Sequence, residues 1–394
     1  MKRGFALFLC VVLLMAGCSA APGEVPQTVN LSSEAVPFYR GSIDNVSEIT
    51  LYYKDGQTDI PYVDMDTVRE VAIDAQRYLE DDGYQLTMET DGKMVDFVRE
   101  NGSRVSIDFD ESSIGWDDYN LFTTASYAQQ QLDVLSNTGL DENGEPELFQ
   151  RGDSSFVRRG ESIGLYFEDF FIELIYEDGK GYMPLQTFSD LFLAYFYINL
   201  AYNGEAVFMI EATDLGDMRE TYYSVEPRER SAELARFNYV ETCLSLQFNY
   251  GLKDEHDIPS FGTLFELTGI DQAMQSTDAL EANVALSDVI NGYIDDLHSA
   301  FVFASPYAGD VAVEPNVQSL SANRIIGHAQ RLSAAAREYF PDGMRFYQEI
   351  GNTAYISFNS FTADYDNDYY GALASGEPIA DTIGIIMYAH AQIT

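Results

Sequence analysis

Apolar residues recur at helical spacing along four stretches of the second half of the chain. Residues 231–250 place Leu234, Phe237, Val240, Leu244 and Phe248 on one face, which predicts an amphipathic helix. A shorter helix is predicted over 261–267. A third opens at Asp278, with Glu281 three residues on as a capping pair. It carries Leu286, Val289, Ile290, Tyr293, Ile294 and Leu297 and is expected to run to His298. The fourth spans 321–340, with Ile325, Ala329, Leu332 and Ala336 aligned, and Pro341-Asp-Gly343 stops it. Strands are predicted at 344–350 and 354–358. A final helix opens at Pro378, a residue suited to a first turn, with Ile379, Ile383, Ile386, Met387 and Ile393 on one side.

The first half reads differently, as short alternating runs broken by turn dipeptides. Leu51-Tyr-Tyr-Lys-Asp55-Gly56 is answered by Leu174-Ile-Tyr-Glu-Asp178-Gly179, and Pro61 by Pro184 at the same offset. Each half predicts strand, Asp-Gly turn, strand, helix and then a hairpin, around Asp91-Gly92 in one case and Asn203-Gly204 in the other. The expected fold class is therefore α+β and multidomain. It comprises two small duplicated α+β modules (44–112 and 166–226), an irregular connection (113–165), a helical segment (227–308) and a last region (309–394). The paired modules resemble the small α+β units akin to the copper amine oxidase N-terminal domain.

The ends and the charge add a setting. Lys2 and Arg3 precede an apolar run over 5–15 that is too short to span a bilayer. Met15-Ala-Gly-Cys18 resembles a bacterial lipobox. The expectation is a lipoprotein signal peptide (1–17), lipidation at Cys18 and a lipidated tether (18–43). The protein would then be held at the extracytoplasmic face of a cell membrane. Of the three cysteines, only Cys243 would be left for the folded part, so an intramolecular disulfide is not expected. Its helical setting suggests a small buried hydrophobe. The net charge of −42 disfavours nucleic acid as a partner. The 27 Tyr and 25 Phe dispersed among the acids mark a folded chain and not an acidic tail.

Candidate chemistry centres on Asp295-Asp296-Leu297-His298-Ser299, at the end of the third helix, and on the later strand Asn352-Thr-Ala-Tyr-Ile-Ser-Phe-Asn-Ser-Phe361. Together they resemble the tail-specific and tricorn-core serine peptidases over roughly residues 228–394. The resemblance implies that 309–394 begins an α/β (crotonase/ClpP-like) peptidase core acting on a peptide or protein substrate, without metal or organic cofactor. His298 would be the general base, and Asp296 and Ser299 would orient it. The serine nucleophile would lie beyond Thr394. In the tail-specific branch a Ser–Lys dyad does this work and His298 would be architectural. A histidine there could also simply cap the helix. The rival class is a non-catalytic, surface-anchored binding lipoprotein on a degenerate peptidase scaffold, its paired modules holding a ligand.

Other motifs carry less. Gly160-Glu-Ser162-Ile-Gly164 fits a nucleophile elbow, but that motif needs a helix after it and strand is predicted there. Asp364-Tyr-Asp366-Asn-Asp368 has the carboxylate spacing of a calcium loop but lacks its glycine and its last glutamate. Asp254-Glu-His256-Asp257 could hold a divalent ion only weakly. His256, His328 and His390 share no metal-ligand spacing.

Overall fold

A computed structural model describes residues 29–79, 83–123, 139–140, 146–147, 162–211, 214–296, 299–340, 345–358, 367–376, 379 and 381–393. The chain is mixed α+β and divides into two units. The first is Met1–Ser287 with Phe301–Glu314, and the second is Asp288–Ala300 with Pro315–Thr394. The signal-peptide and lipidation expectations, Cys18 included, lie outside the described residues.

The first unit is built on two sheets. Its strands in chain order are β1 (Leu31–Arg40), β2 (Val46–Lys54), β3 (Tyr62–Asp64), β4 (Leu86–Asp91), β5 (Met94–Arg99), β6 (Arg104–Asp108) and β7 (Ser113–Trp116). A two-residue pair follows, β8 (Gly139–Leu140) and β9 (Pro146–Glu147). Then come β10 (Ile163–Tyr166), β11 (Ile175–Glu177), β12 (Lys180–Pro184), β13 (Ile198–Tyr202) and β14 (Val207–Glu211). A seven-stranded sheet has the order β11-β12-β3-β2-β1-β14-β13, and a five-stranded sheet the order β10-β7-β6-β5-β4.

The same path, hairpin, helix, hairpin, occurs twice, and the two copies interlock. The β2–β3 and β11–β12 hairpins meet where β3 pairs antiparallel with β12, Val63 opposite Met183. Helices follow both, Met65–Tyr78 after β3 and Leu185–Phe188 after β12. The strand before each hairpin pairs with strands of the other copy: β1 lies parallel to β14, and β10 antiparallel to β7. The stretches 44–112 and 166–226 thus share one sheet. They also share one core, in which Trp116, Phe97, Phe188 and Phe192 are all buried.

Two sequence expectations are corrected here. Residues 31–40, read as part of the tether, form β1. Only Val36 and Phe38 of that strand are buried, and Ser32, Ser33 and Glu34 face outward, so its apolar alternation is short. Pro37 stands just before the parallel register with β14 begins at Phe38, where its missing N–H costs no ladder bond to β14. The connection 113–165 supplies β7 at one end and most of β10 at the other.

The helix Met65–Tyr78 begins at Met65 because Asp64 caps it, its carboxylate accepting from Thr67 N–H at 2.9 Å. The helix Ala232–Asn249 is capped by Ser231, which accepts from Leu234 N–H at 3.1 Å. It buries Leu234, Ala235, Val240, Cys243 and Leu244. On the sheet face carrying Tyr62 and Tyr182, Leu234 and Tyr307 complete a second cluster. Tyr307 belongs to the segment Phe301–Glu314, which returns to this unit.

The second unit contains the helix Leu320–Tyr339, the hairpin β15 (Tyr347–Ile350) and β16 (Thr353–Ile356), and the helices Tyr369–Ser375 and Thr382–Ile393. The last helix buries Ile385, Met387 and Ala389. The helix Leu320–Tyr339 leaves Ile325, Ile326 and Leu332 more than half exposed. Its apolar spacing is real, but within its own unit that face is not covered. Among the described residues no helix is long and apolar enough to cross a membrane.

Candidate functional site

The expected helix into His298 ends earlier than its apolar spacing suggests. Regular α-helix stops at Val289, and Ile290–Ile294 form one wide π-type turn. Asp295 closes it in the left-handed region, φ 46°, with its N–H on the Ile290 carbonyl at 2.9 Å. Such widened turns break the helical ladder and recur at functional sites. The local cause is visible at Gly292. A Cβ there would lie 2.9 Å from Val317, so glycine lets the segment 316–321 run directly across the turn.

That segment is tied down at both ends. Asp288 accepts from Asn316 Nδ2 and Val317 N–H, each at 3.0 Å. Asp295 accepts from Ser319 Oγ at 2.6 Å, from Ser321 Oγ at 2.9 Å and from Ser321 N–H at 3.1 Å. Ser319 in turn caps the helix Leu320–Tyr339, accepting from Ala322 N–H at 2.9 Å. Hydrogen bonds from Ser319 and Ser321 hold the Asp295 carboxyl below the usual carboxylate range, against a smaller opposing effect of desolvation. Asp295 is therefore a fixed carboxylate that welds one helix end to the next helix start.

Immediately after this anchor, Asp296 and Ser299 face each other. The Ser299 N–H donates to the Asp296 carbonyl at 3.1 Å, and Ser299 Oγ lies 3.4 Å from Asp296 Oδ2. The structure thus brings these two orienting candidates together. Leu297 and His298 lie outside the described residues. Of the later motif, Thr353–Ile356 forms β16, paired with β15 through Tyr347 opposite Ile356, and residues 359–361 lie outside the described residues.

The remaining sequence candidates find other settings. Ser162 is exposed and directly precedes β10, so strand and not helix follows it. Cys243 is buried, and desolvation pushes its thiol up to about 11, the state of a packing residue. His256 and His328 are exposed, as is His390 on the last helix. Among the described residues no three His, Cys, Asp or Glu side chains group as a metal site. Residues 364–366 of the calcium-like spacing lie outside the described residues, and Asp368 caps the helix Tyr369–Ser375 through Gly371 N–H at 2.8 Å.

Sequence reasoning missed two features. One is the anchor formed by Asp288, Gly292 and Asp295. Its signal, had it been read, is the Asn291-Gly292 pair inside an otherwise continuous helical pattern. The other is a cavity of about 440 Å³ in the first unit, walled by Tyr53, Tyr202 and Arg228 among others. These residues are far apart in sequence and belong to no motif. No family model matches the chain, and neither a curated protein nor a solved structure matches it.

Proposed function

We propose that this protein is an extracytoplasmic serine-type peptidase of the tail-specific/tricorn type, held at the membrane by lipid on Cys18. The reading rests on the likeness of Asp296-x-His298-Ser299 and of the strand motif at 352–361 to that family. The observation that carries it is the anchored helix end. Asp295 is fixed by Ser319 and Ser321, and Asp296 bonds to Ser299, which anchors the residues that flank 297–298 in the sequence. A general base needs that kind of positioning, because proton transfer is efficient only within hydrogen-bond reach of the nucleophile. In this reading His298 takes the proton of a serine hydroxyl as it attacks the peptide carbonyl, and the acyl-enzyme is then hydrolysed. The test is reaction of the full-length protein with a fluorophosphonate serine probe, compared with His298→Ala.

A second reading, a surface-anchored binding protein without catalysis, is favoured by the cavity in the first unit. Its volume falls in the range of small-ligand sites.

A further inference from the structure

The cavity lies beside β1 and β2, and its walls come from five parts of the first unit. Glu34 stands on β1 and Tyr53 on β2. Asp59 stands in the loop joining β2 to β3, Tyr202 and Gly204 at and just beyond the end of β13, and Arg228 in the segment before the helix Ala232–Asn249. The β2–β3 loop is what distinguishes the two copies of the hairpin. In the second copy a two-residue turn, Asp178-Gly179, joins the strands, both residues at positive φ. In the first copy the connection runs over 55–61, and this longer loop brings Asp59 to the cavity.

Arg228 is held in place before any ligand arrives. Its N–H donates to the Tyr307 carbonyl at 3.0 Å, and its guanidinium lies 4.9 Å from the centre of the Tyr307 ring. Gly204, at φ +99°, makes room for it: a Cβ there would come within 3.3 Å of Arg228 Nη2. Yet among the described residues Arg228 forms no ion pair, while ten other pairs are formed. Arg230 and Arg236 are likewise held without an ion pair, but Arg228 is the one of the three that lines the cavity, with the charge of Asp59 acting on it from the loop.

The rest of the wall offers acceptors. The Tyr53 hydroxyl donates to Tyr202 Oη at 2.9 Å, and Tyr202 donates to the Gly204 carbonyl at 2.9 Å. Both phenol protons are used within the network, so Tyr53 Oη is left with lone pairs to accept. Glu34 and Asp59 add two carboxylates. A simple anion such as phosphate would meet these acids and the field of a chain at −42. A simple cation would meet Arg228. A ligand bearing both charges meets neither obstacle.

We propose that this cavity binds a zwitterion of amino-acid or dipeptide size, its carboxylate on Arg228 and its ammonium on Glu34, Asp59 and the Tyr53 oxygen. The site is independent of the peptidase reading, since it lies wholly in the first unit, and failure of serine labelling leaves its test intact.

The test is isothermal titration calorimetry of the full chain with alanine, glycylglycine and alanylalanine. The best of the three is then repeated as its N-acetyl and C-terminal amide derivatives. Binding of at least one zwitterion is expected, weakened tenfold or more by blocking either end, and tenfold or more by Arg228→Gln, the loss of one charge-assisted pair. An unchanged thermal midpoint shows that this variant is folded. If it is not, Asp59→Asn in the surface loop carries the same test from the ammonium side. Three outcomes overturn the proposal: no heat from any zwitterion, equal binding of the blocked forms, or undiminished binding by the folded variants.

Discussion

Two buried carboxyls join the helix Ala232–Asn249 to the sheet domain, and together they set a pH dependence. Glu241 is 2% exposed on the buried face of that helix, and Asp190 is 9% exposed beyond the helix Leu185–Phe188. Thr187 Oγ1 donates to Glu241 Oε2 at 2.8 Å, and Gln186 Nε2 to Asp190 Oδ1 at 2.8 Å. Glu241 Oε1 is buried without a hydrogen-bond partner. Burial pushes both carboxyls above the usual range, and for Glu241 the neighbouring Asp190 adds to it. The folded state therefore keeps protons that the unfolded chain has released. Stability from this pair is present at acidic pH and is lost as pH rises through the raised folded values.

Replacing Glu241 by Gln keeps an acceptor for Thr187 and removes the group that must hold a proton or a buried charge. It also removes one of two like charges beside Asp190. Each pH unit over which the folded carboxyl holds a proton that the unfolded chain has released costs about 1.4 kcal/mol of stability, and an uncharged side chain escapes that cost. Glu241→Gln is thus expected to stabilise the domain at pH 8 by about 2 kcal/mol, a rise of roughly 4–8 °C in Tm for a domain of this size. At pH 5, where the wild type keeps its proton, the gain should shrink towards zero. Thermal melts by circular dichroism at pH 5, 6, 7 and 8 measure both. General repulsion among the many acids also eases on acidification, but it affects variant and wild type alike, so the difference between them isolates the pair. A variant less stable than wild type at pH 8, or a gain that does not change with pH, refutes the reasoning.

Gly181 on β12 lies under the Phe109 ring, to which a Cβ would come as close as 2.2 Å. Gly181→Ala should therefore cost about 1–3 kcal/mol in a denaturant titration, as overpacking does. Asp295→Asn keeps the shape of the anchor but removes its charge. Amide exchange at Ser321 and Ala322 should quicken while exchange in the first unit's sheet stays unchanged. Cys18→Ser should abolish incorporation of a fatty-acid analogue in cells, and equal labelling of both forms would end the lipoprotein reading.

Periodic helices were legible because each buries a face or begins at a side-chain cap. Residues 231–250 appear as Ala232–Asn249, capped by Ser231. The reading over 321–340 appears as Leu320–Tyr339, although its Ile325 and Leu332 are exposed. The repeated strand-turn-strand-helix path was also visible, but its alignment was displaced. The prolines match at one offset from the turns, yet Pro61 precedes its strand while Pro184 ends its own. The pairing instead sets Val63 against Met183. The connection 55–61 is longer than the two-residue turn of the second copy, and no local pattern announces it. Strand exchange between the copies was hidden for a similar reason, since β1, besides its local antiparallel pairing with β2, meets β14 more than 150 residues away. At the candidate site, the helical spacing through Tyr293 concealed the widened turn: the structure buries Val289 and then Ile294, five residues on, and leaves Tyr293 40% exposed. The cavity was illegible altogether: Glu34, Tyr53, Tyr202 and Arg228 converge only through the sheet order.

The central claim, that His298 serves as the base of a serine peptidase, is tested most directly by the fluorophosphonate probe on folded, full-length protein. Wild type should label covalently, and His298→Ala, with an unchanged melting curve, should label slower by on the order of 10⁴-fold, the typical cost of losing the base. Absence of labelling in wild type, or labelling of His298→Ala at the wild-type rate, would contradict it.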